Sequence, residues 1–365
     1  MRRNHLAATL ALASVALGGA CADNGTAPAA APAFAAPTAR EVSMDPALVR
    51  VGDFSKSPVI AMAQKHGWFA EVNLTVTEEQ TPSSPVIFRK LRDGEWDVIL
   101  TQIDNVFNYR YNRSNPLGGT FEPVAFLGTD NGNGASLMAR PEYPTVESLR
   151  GKTVAVDSKN SGFAFVLYGI MRAHGLEKDV DYTVIVPAVN SGTPARYSGL
   201  LAGNFDATIL NAGFQFRAAS AGMQTLGGIR DAADPFMGGS GVALRSWLDA
   251  NPDVAIRFTR AYVRAQQYVL DPANRDEILA WLTADAKGDA SVAAQTYRIL
   301  VTPGDGLIAS GEIDRPGLYG TASLRDSFGG FDEPQNLDLL TSPASGVYDL
   351  SYWRRAVLSN GWTTE

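Results

Sequence analysis

The chain has 365 residues, with 31 Lys and Arg against 38 Asp and Glu, a formal charge of −7, and 45% hydrophobic residues. This is the composition of a globular protein long enough for two domain cores and too acidic to suit nucleic-acid binding. A single cysteine rules out disulfides within the chain and cysteine-based metal clusters.

The chain opens with Arg2 and Arg3, then a run from Leu6 to Leu17 of Ala, Leu and Val broken only by Thr9 and Ser14, then Gly18, Gly19 and Ala20. That is the order of a secretory signal, and the apolar run is too short to span a bilayer. Cys21 follows directly and resembles the acylated cysteine of a lipobox, although Leu17 stands one place early and Gly18 takes the usual leucine position. The alternative is Ala20-Cys21-Ala22 as a cleavage site that discards the cysteine. The expectation is a signal peptide over 1–20, then a lipidated cysteine and flexible tether over 21–46, rich in Ala, Pro and Thr. The body would then sit on the periplasmic or cell-surface side of the membrane, held by lipid alone; the alternative is a soluble periplasmic protein.

From Ala47 short apolar runs alternate with helical patterns. "ALVRVGDF", "VNLTVTEE", "WDVILT" and "EPVAFLG" read as strands, and "PVIAMAQKHGWF" and "PVIFRKLRDG" as helices. The alternation restarts at "KTVAVDS" and runs through "YTVIVPA" and "FDATILN" to "MQTLGG", which predicts parallel sheets covered by helices. Phe163, Val166, Leu167, Ile170, Met171 and His174 share one helical face that Gly175 ends, and Thr193-Pro194 reads as a capped helix start. Beyond Gly239 a long amphipathic helix opens at Asn251-Pro252, with Val254, Phe258, Ala261, Tyr262, Ala265, Tyr268 and Val269 on one face. "ASLMAR" (Ala135–Arg140) and "GGSGVALR" (Gly238–Arg245) look like paired crossover strands. The predicted division is one lobe from 47–138 and 239–365 and a second from 139–238.

Several stretches, in this order, are similar to the type 2 periplasmic substrate-binding proteins of ABC importers, in the class that takes nitrate, sulfonates, taurine and the thiamine pyrimidine precursor. They are "IAMAQKHGWFAEVNLTV", "FRKLRDGEWDVILT", "PTVESLRGKTVAVDSKNSGFAFVLYGIMRAHGL", "YSGLLAGNFDATILN" and "NPDVAIRFTRAYVRAQQYV", all lying within residues 47–285, over which the resemblance extends. The resemblance implies an α/β, two-lobed type 2 fold, with mostly parallel sheets flanked by helices and two crossover strands as hinge. It implies a monomer that captures a sulfonate, carboxylate, nitrate-like anion or pyrimidine and passes it to an importer permease, without a cofactor. The alternatives are a sensor or scaffold without transport, and an enzyme of thiamine-pyrimidine synthesis, whose cysteine-rich motif is absent.

Ligands of open α/β sheets bind beyond the carboxyl ends of strands, near helix N-termini. The polar residues expected there are Ser55, Lys56 and Ser57, then Gln102 and Asp104, then Asn131 in a turn-rich loop. In the second lobe they are Ser158, Lys159, Asn160 and Ser161, then Asn190 and Asn211, with Phe214 or Phe216 stacking on an organic solute or lying in the core. Each Ser and Asp also suits a plain helix cap. Lys159 beside a helix N-terminus would favour an anion. Glu78-Glu79 and Asp231…Asp234 read as solvated acids. His66 and His174 each precede a glycine at a helix end, and no nucleophile elbow, P-loop or zinc-protease motif occurs.

Overall fold

In the computed structural model, which describes residues 42–188 and 190–358, ten strands form two five-stranded sheets. Cys21 and nearly all of the tether lie outside the described residues. The first sheet is built from β1 (Ala47–Asp53), β2 (Leu74–Gln80), β3 (Val98–Gln102) and β4 (Pro123–Asp130). Between them come α1 (Pro58–Lys65), α2 (Trp68–Glu71), α3 (Ser84–Arg92) and α4 (Ile103–Tyr111). The chain then crosses to β5 (Ser136–Ala139), β6 (Thr153–Ala155), β7 (Thr183–Ile185), β8 (Ala207–Leu210) and β9 (Gln224–Gly228). Their helices are α5 (Gly162–Ala173), α6 (Thr193–Leu201), α7 (Phe214–Ser220) and α8 (Ile229–Ala232). It returns as β10 (Gly239–Leu244) and ends in helices: α9 (Arg245–Ala250), α10 (Pro252–Leu270), α11 (Arg275–Asp285), α12 (Ala290–Leu300), α13 (Arg315–Ser327), α14 (Leu337–Leu340) and α15 (Ser351–Val357).

The two sheets have one topology. The first is ordered β2-β1-β3-β10-β4 and the second β7-β6-β8-β5-β9. In each, four strands run one way and the strand entered by a crossover is inserted antiparallel: β10 against β3 and β4, β5 against β8 and β9. The crossover strands therefore do not pair with each other, as the sequence suggested, because each is taken up by a different sheet. The connections leading into them do meet. The Gly238 N–H donates to the Asp130 carbonyl at 3.1 Å, and a Cβ on Gly238 would stand 2.2 Å from the Gly132 nitrogen.

Each sheet is buried on both faces, which explains strands that read as unbroken apolar runs. Val98 and Leu100 of β3 enter one core with α1, α2, α10, α11 and α15, while Ile99 enters the other with α3, α4 and α13. Likewise Val154 and Ala155 of β6 face opposite clusters. Helix α10 buries Ile256, Phe258, Ala261, Tyr262 and Ala265 against the first sheet, each large side chain worth about 1.5–3 kcal/mol. Among the described residues no helix is long and apolar enough to cross a membrane.

Candidate functional site

The carboxyl ends of β1, β3, β4 and β8 converge on a cavity of about 960 Å³, solvent at its mouth included. The first sheet contributes the β1–α1 loop, Asp53 to Val59, with Thr101 and Gln102 of β3 and Thr129 and Asp130 of β4. The second contributes Asn211, Ala212 and Arg217, and Phe163 at the start of α5. The remaining wall comes from the C-terminal helices: Tyr262 of α10, Trp281, Leu282 and Asp285 of α11, and Val292, Thr296 and Leu300 of α12.

Of the residues expected from sequence, Ser55, Lys56, Ser57, Gln102 and Asn211 line this cavity. Gln102 is the most telling. It is 6% exposed, and neither its amide nitrogen nor its amide oxygen has a protein partner. A buried amide normally has both satisfied. Asn133 Oδ1 and Arg217 Nε, also on the cavity wall, are unpartnered as well. Two stretches of left-handed backbone frame these groups: Asn133 and Gly134 at φ 50° and 62°, and Ala212 and Gly213 at φ 52° and 88°. Gln215 of α7 clamps them together, donating to the carbonyls of Asn133 and Gly134 at 3.1 and 3.2 Å.

The other expected residues are placed differently. Asp104 is 1% exposed and forms a bidentate pair with Arg325 of α13 at 2.9 and 2.7 Å. Burial pushes its carboxyl up while the guanidinium pulls it back. Ser161 caps α5, its hydroxyl accepting from Ala164 N–H and donating to Asp157 at 2.6 Å. Asn160 donates to Asn108 at 3.0 Å, and Ser158 is buried with its carbonyl accepting from Ser161. These bonds turn the loop against the first sheet, so Lys159 is exposed and does not line the cavity, and only its carbonyl is engaged, by Tyr168. Asn131 bonds the Gly306 carbonyl, leaving its neighbours Asp130 and Asn133 to face inward. Asn190 borders an outer groove. Phe214 packs on Tyr197 and under Arg217, off the cavity. The cap of α6 is Gly192, not Thr193.

The DSKNSG loop therefore closes the cleft by protein-to-protein contact. The Ser84 hydroxyl and N–H donate to Asp157, Gly162 N–H donates to Asn105 at 3.2 Å, and Ser191 N–H donates to the Pro82 carbonyl at 3.2 Å. Arg325 joins this seam by donating to the Asn160 carbonyl at 2.8 Å.

Electrostatically the cavity floor is acidic. Burial, and then Glu78, push the Asp53 carboxyl well up; burial likewise raises Asp130. Glu78, expected to be solvated, is half-buried and accepts from the Ser57 N–H at 2.9 Å. Burial pushes it up to about 7, against the pull of that N–H and of Lys56. Tyr262 lies beside these acids, its hydroxyl raised by burial and by Asp53. Arg217 is tied to Asp285 at 2.5 Å. Sequence reasoning assigned no role to Asp53 or Asp130, and the C-terminal wall carries no local signal. His66 and His174 are the C-caps of α1 and α5, bonded to Glu277 and Glu147. Among the described residues no cluster of three or more His, Cys, Asp or Glu could hold a metal ion.

The model of the NMT1-like family matches residues 54–283. Among solved structures the chain is similar to the periplasmic nitrate-binding protein NrtA from Synechocystis PCC 6803, with TM-score 0.71 and 12% identity, covering 87% of this chain and 90% of that one. It is similar to the alkanesulfonate-binding protein SsuA from Xanthomonas axonopodis pv. citri bound to MOPS, with TM-score 0.64, 16% identity, and coverage of 83% and 98%. It also shares its fold with the desulfurization enzyme DSZB, at TM-score 0.56, 10% identity, and coverage of 86% and 99%. At these identities the likeness shows the fold alone. No curated protein sequence matches the chain.

Proposed function

The chain belongs to the NMT1-like family, and from that premise we propose that it is an extracytoplasmic solute-binding protein that holds a small polar organic solute between its two sheets and delivers it to an ABC importer. The nitrate- and alkanesulfonate-binding proteins with this fold support the class of activity. Cys21 is its membrane anchor in this reading, and the tether lets the folded body reach a permease. Binding is favoured over catalysis by the cavity itself, whose polar wall offers hydrogen-bond donors and acceptors, with both histidines engaged at helix ends elsewhere.

The observation that carries the reading is Gln102, a residue of the cavity wall whose buried amide has a donor and an acceptor both unused. A bound solute supplies both partners. A thermal-shift screen of amines, amidines, sulfonates, carboxylates, nitrate and pyrimidines tests it, because a ligand at one hundred times its dissociation constant adds about 2.7 kcal/mol to native stability. Gln102→Ala is expected to weaken the hit by about 1–3 kcal/mol, for two hydrogen bonds, with little loss of stability in the empty protein. A hit that binds Gln102→Ala as tightly as the wild type would place the site elsewhere.

A further inference from the structure

We propose that the solute carries a positive charge: an organic cation, such as a protonated amine or amidine, held with its charged end at Asp53 and Asp130, its body against Phe54, Phe163 and Trp281, and a hydrogen-bond acceptor directed to Gln102 and Arg217. The inference rests on the reading of the cavity as a binding site and sets the charge of what enters it.

Several of the helix N-terminal donors that would receive an anion are taken by the protein's own groups, leaving the Val59 and Phe163 N–H groups on the cavity wall. At α1 the Ser57 N–H is bound by the Glu78 carboxylate and the Ile60 N–H by the Ser57 hydroxyl. The Phe54 and Ser55 N–H groups both donate to Asp53. At α5 the Gly162 N–H is bound by Asn105 and the Ala164 N–H by Ser161. The positively charged side chains offer little more: Lys56 is exposed, Arg217 is paired with Asp285, and Lys159 is off the cavity.

What lines the floor instead is carboxylate. Asp53 and Asp130 both border the cavity, and burial raises the proton affinity of each; Glu78 behind Ser57, and to a lesser degree Asp130, add to the rise at Asp53. Asp130 is held in place by Thr129 at 2.8 Å and the Gly132 N–H at 2.7 Å, so its position does not depend on a ligand. Acids crowded without a cation hold on to protons; a cation lowers their repulsion and lets them ionise. Aromatic faces beside them suit a cationic body. The titratable and charged groups at this site are Asp53, Asp130, Lys56 and Tyr262 on the first-sheet side, with Glu78 behind Ser57, and the Arg217–Asp285 pair across the cavity. Burial raises all three of Asp53, Asp130 and Glu78, the last to about 7, so a cation should bind more tightly at pH 8 than at pH 6.

The test compares tyramine and agmatine with tyrosol and 4-hydroxybenzenesulfonate on the full chain, by thermal shift and titration calorimetry. The expected result is stabilisation by an amine, a loss of at least tenfold in its affinity in Asp53→Asn, and an unfolding midpoint of the empty Asp53→Asn variant no lower than wild type. If the sulfonate or another anion binds instead, or binds more tightly in Asp53→Asn, the cavity remains a binding site and the charge assignment falls. If no member of this set and no solute of the wider screen moves the midpoint, the binding reading falls and this inference with it.

Discussion

Gln102 ends β3 and Asp104 stands two positions on, in the first turn of α4, and sequence offered both for the same role. The structure divides them. Asp104 turns into the core to meet Arg325, 221 residues away in sequence, while Gln102 lines the cavity, its amide oxygen set against Gly162 of α5. Nothing local to "TQIDN" distinguishes an acid that anchors a distant helix from one that meets a ligand. Asp104→Asn leaves a guanidinium buried without its counter-charge, and should cost about 3–5 kcal/mol in urea unfolding. Loss of less than 1 kcal/mol would show that the pair is dispensable. Glu78 makes a prediction about pH. Its folded value near 7 lies above the ordinary 4.5, so the folded state binds the proton more tightly than the unfolded state between those values. Its contribution to stability is therefore greatest at the acidic end and falls as pH rises through 7, by at most about 1.4 kcal/mol per pH unit and less with solvent screening. Urea midpoints measured from pH 5 to 8 should fall more steeply for the wild type than for Glu78→Gln; equal slopes would contradict the assignment.

At the scale of elements, the strand–helix alternation was readable because sheets buried on both faces leave long apolar runs between turn residues, as in "WDVILT" for β3 and "EPVAFLG" for β4. Helix α10 was readable for a different reason, its 3.6-residue stripe of Phe258, Tyr262, Ala265 and Val269. The partners of β5 and β10 were not. Whether a strand following a crossover joins the other crossover or inserts into a sheet depends on contacts among residues far apart in the chain. The same holds for the site: strand ends pointed to Ser55, Lys56, Ser57, Gln102 and Asn211, yet Trp281 and Thr296 enter only because α11 and α12 fold back across the cleft. Where the crossovers meet, Gly238 leaves no room for a side chain beside the Gly132 backbone. Gly238→Ala should therefore force the two connections apart and destabilise by about 1–3 kcal/mol, the range for overpacking. A variant as stable as wild type by denaturant titration would mean that the connections are loosely held.

At the scale of the molecule, two sheets of one topology are joined along one side by hydrogen bonds that Ser84 donates to the DSKNSG loop and that Asn105, Asn108 and Pro82 accept from that loop and from Ser191. That seam uses Asn160, one of the residues sequence assigned to the ligand, and leaves the cavity toward α11 and α12 as the place for a solute. The account stands on that cavity being occupied in function. Native mass spectrometry of the full chain, purified without denaturation and compared with Gln102→Ala prepared identically, tests this most directly. The account predicts a bound small molecule on the wild type, released on unfolding and reduced or absent on the variant. An equal load of the same molecule on both proteins would contradict it.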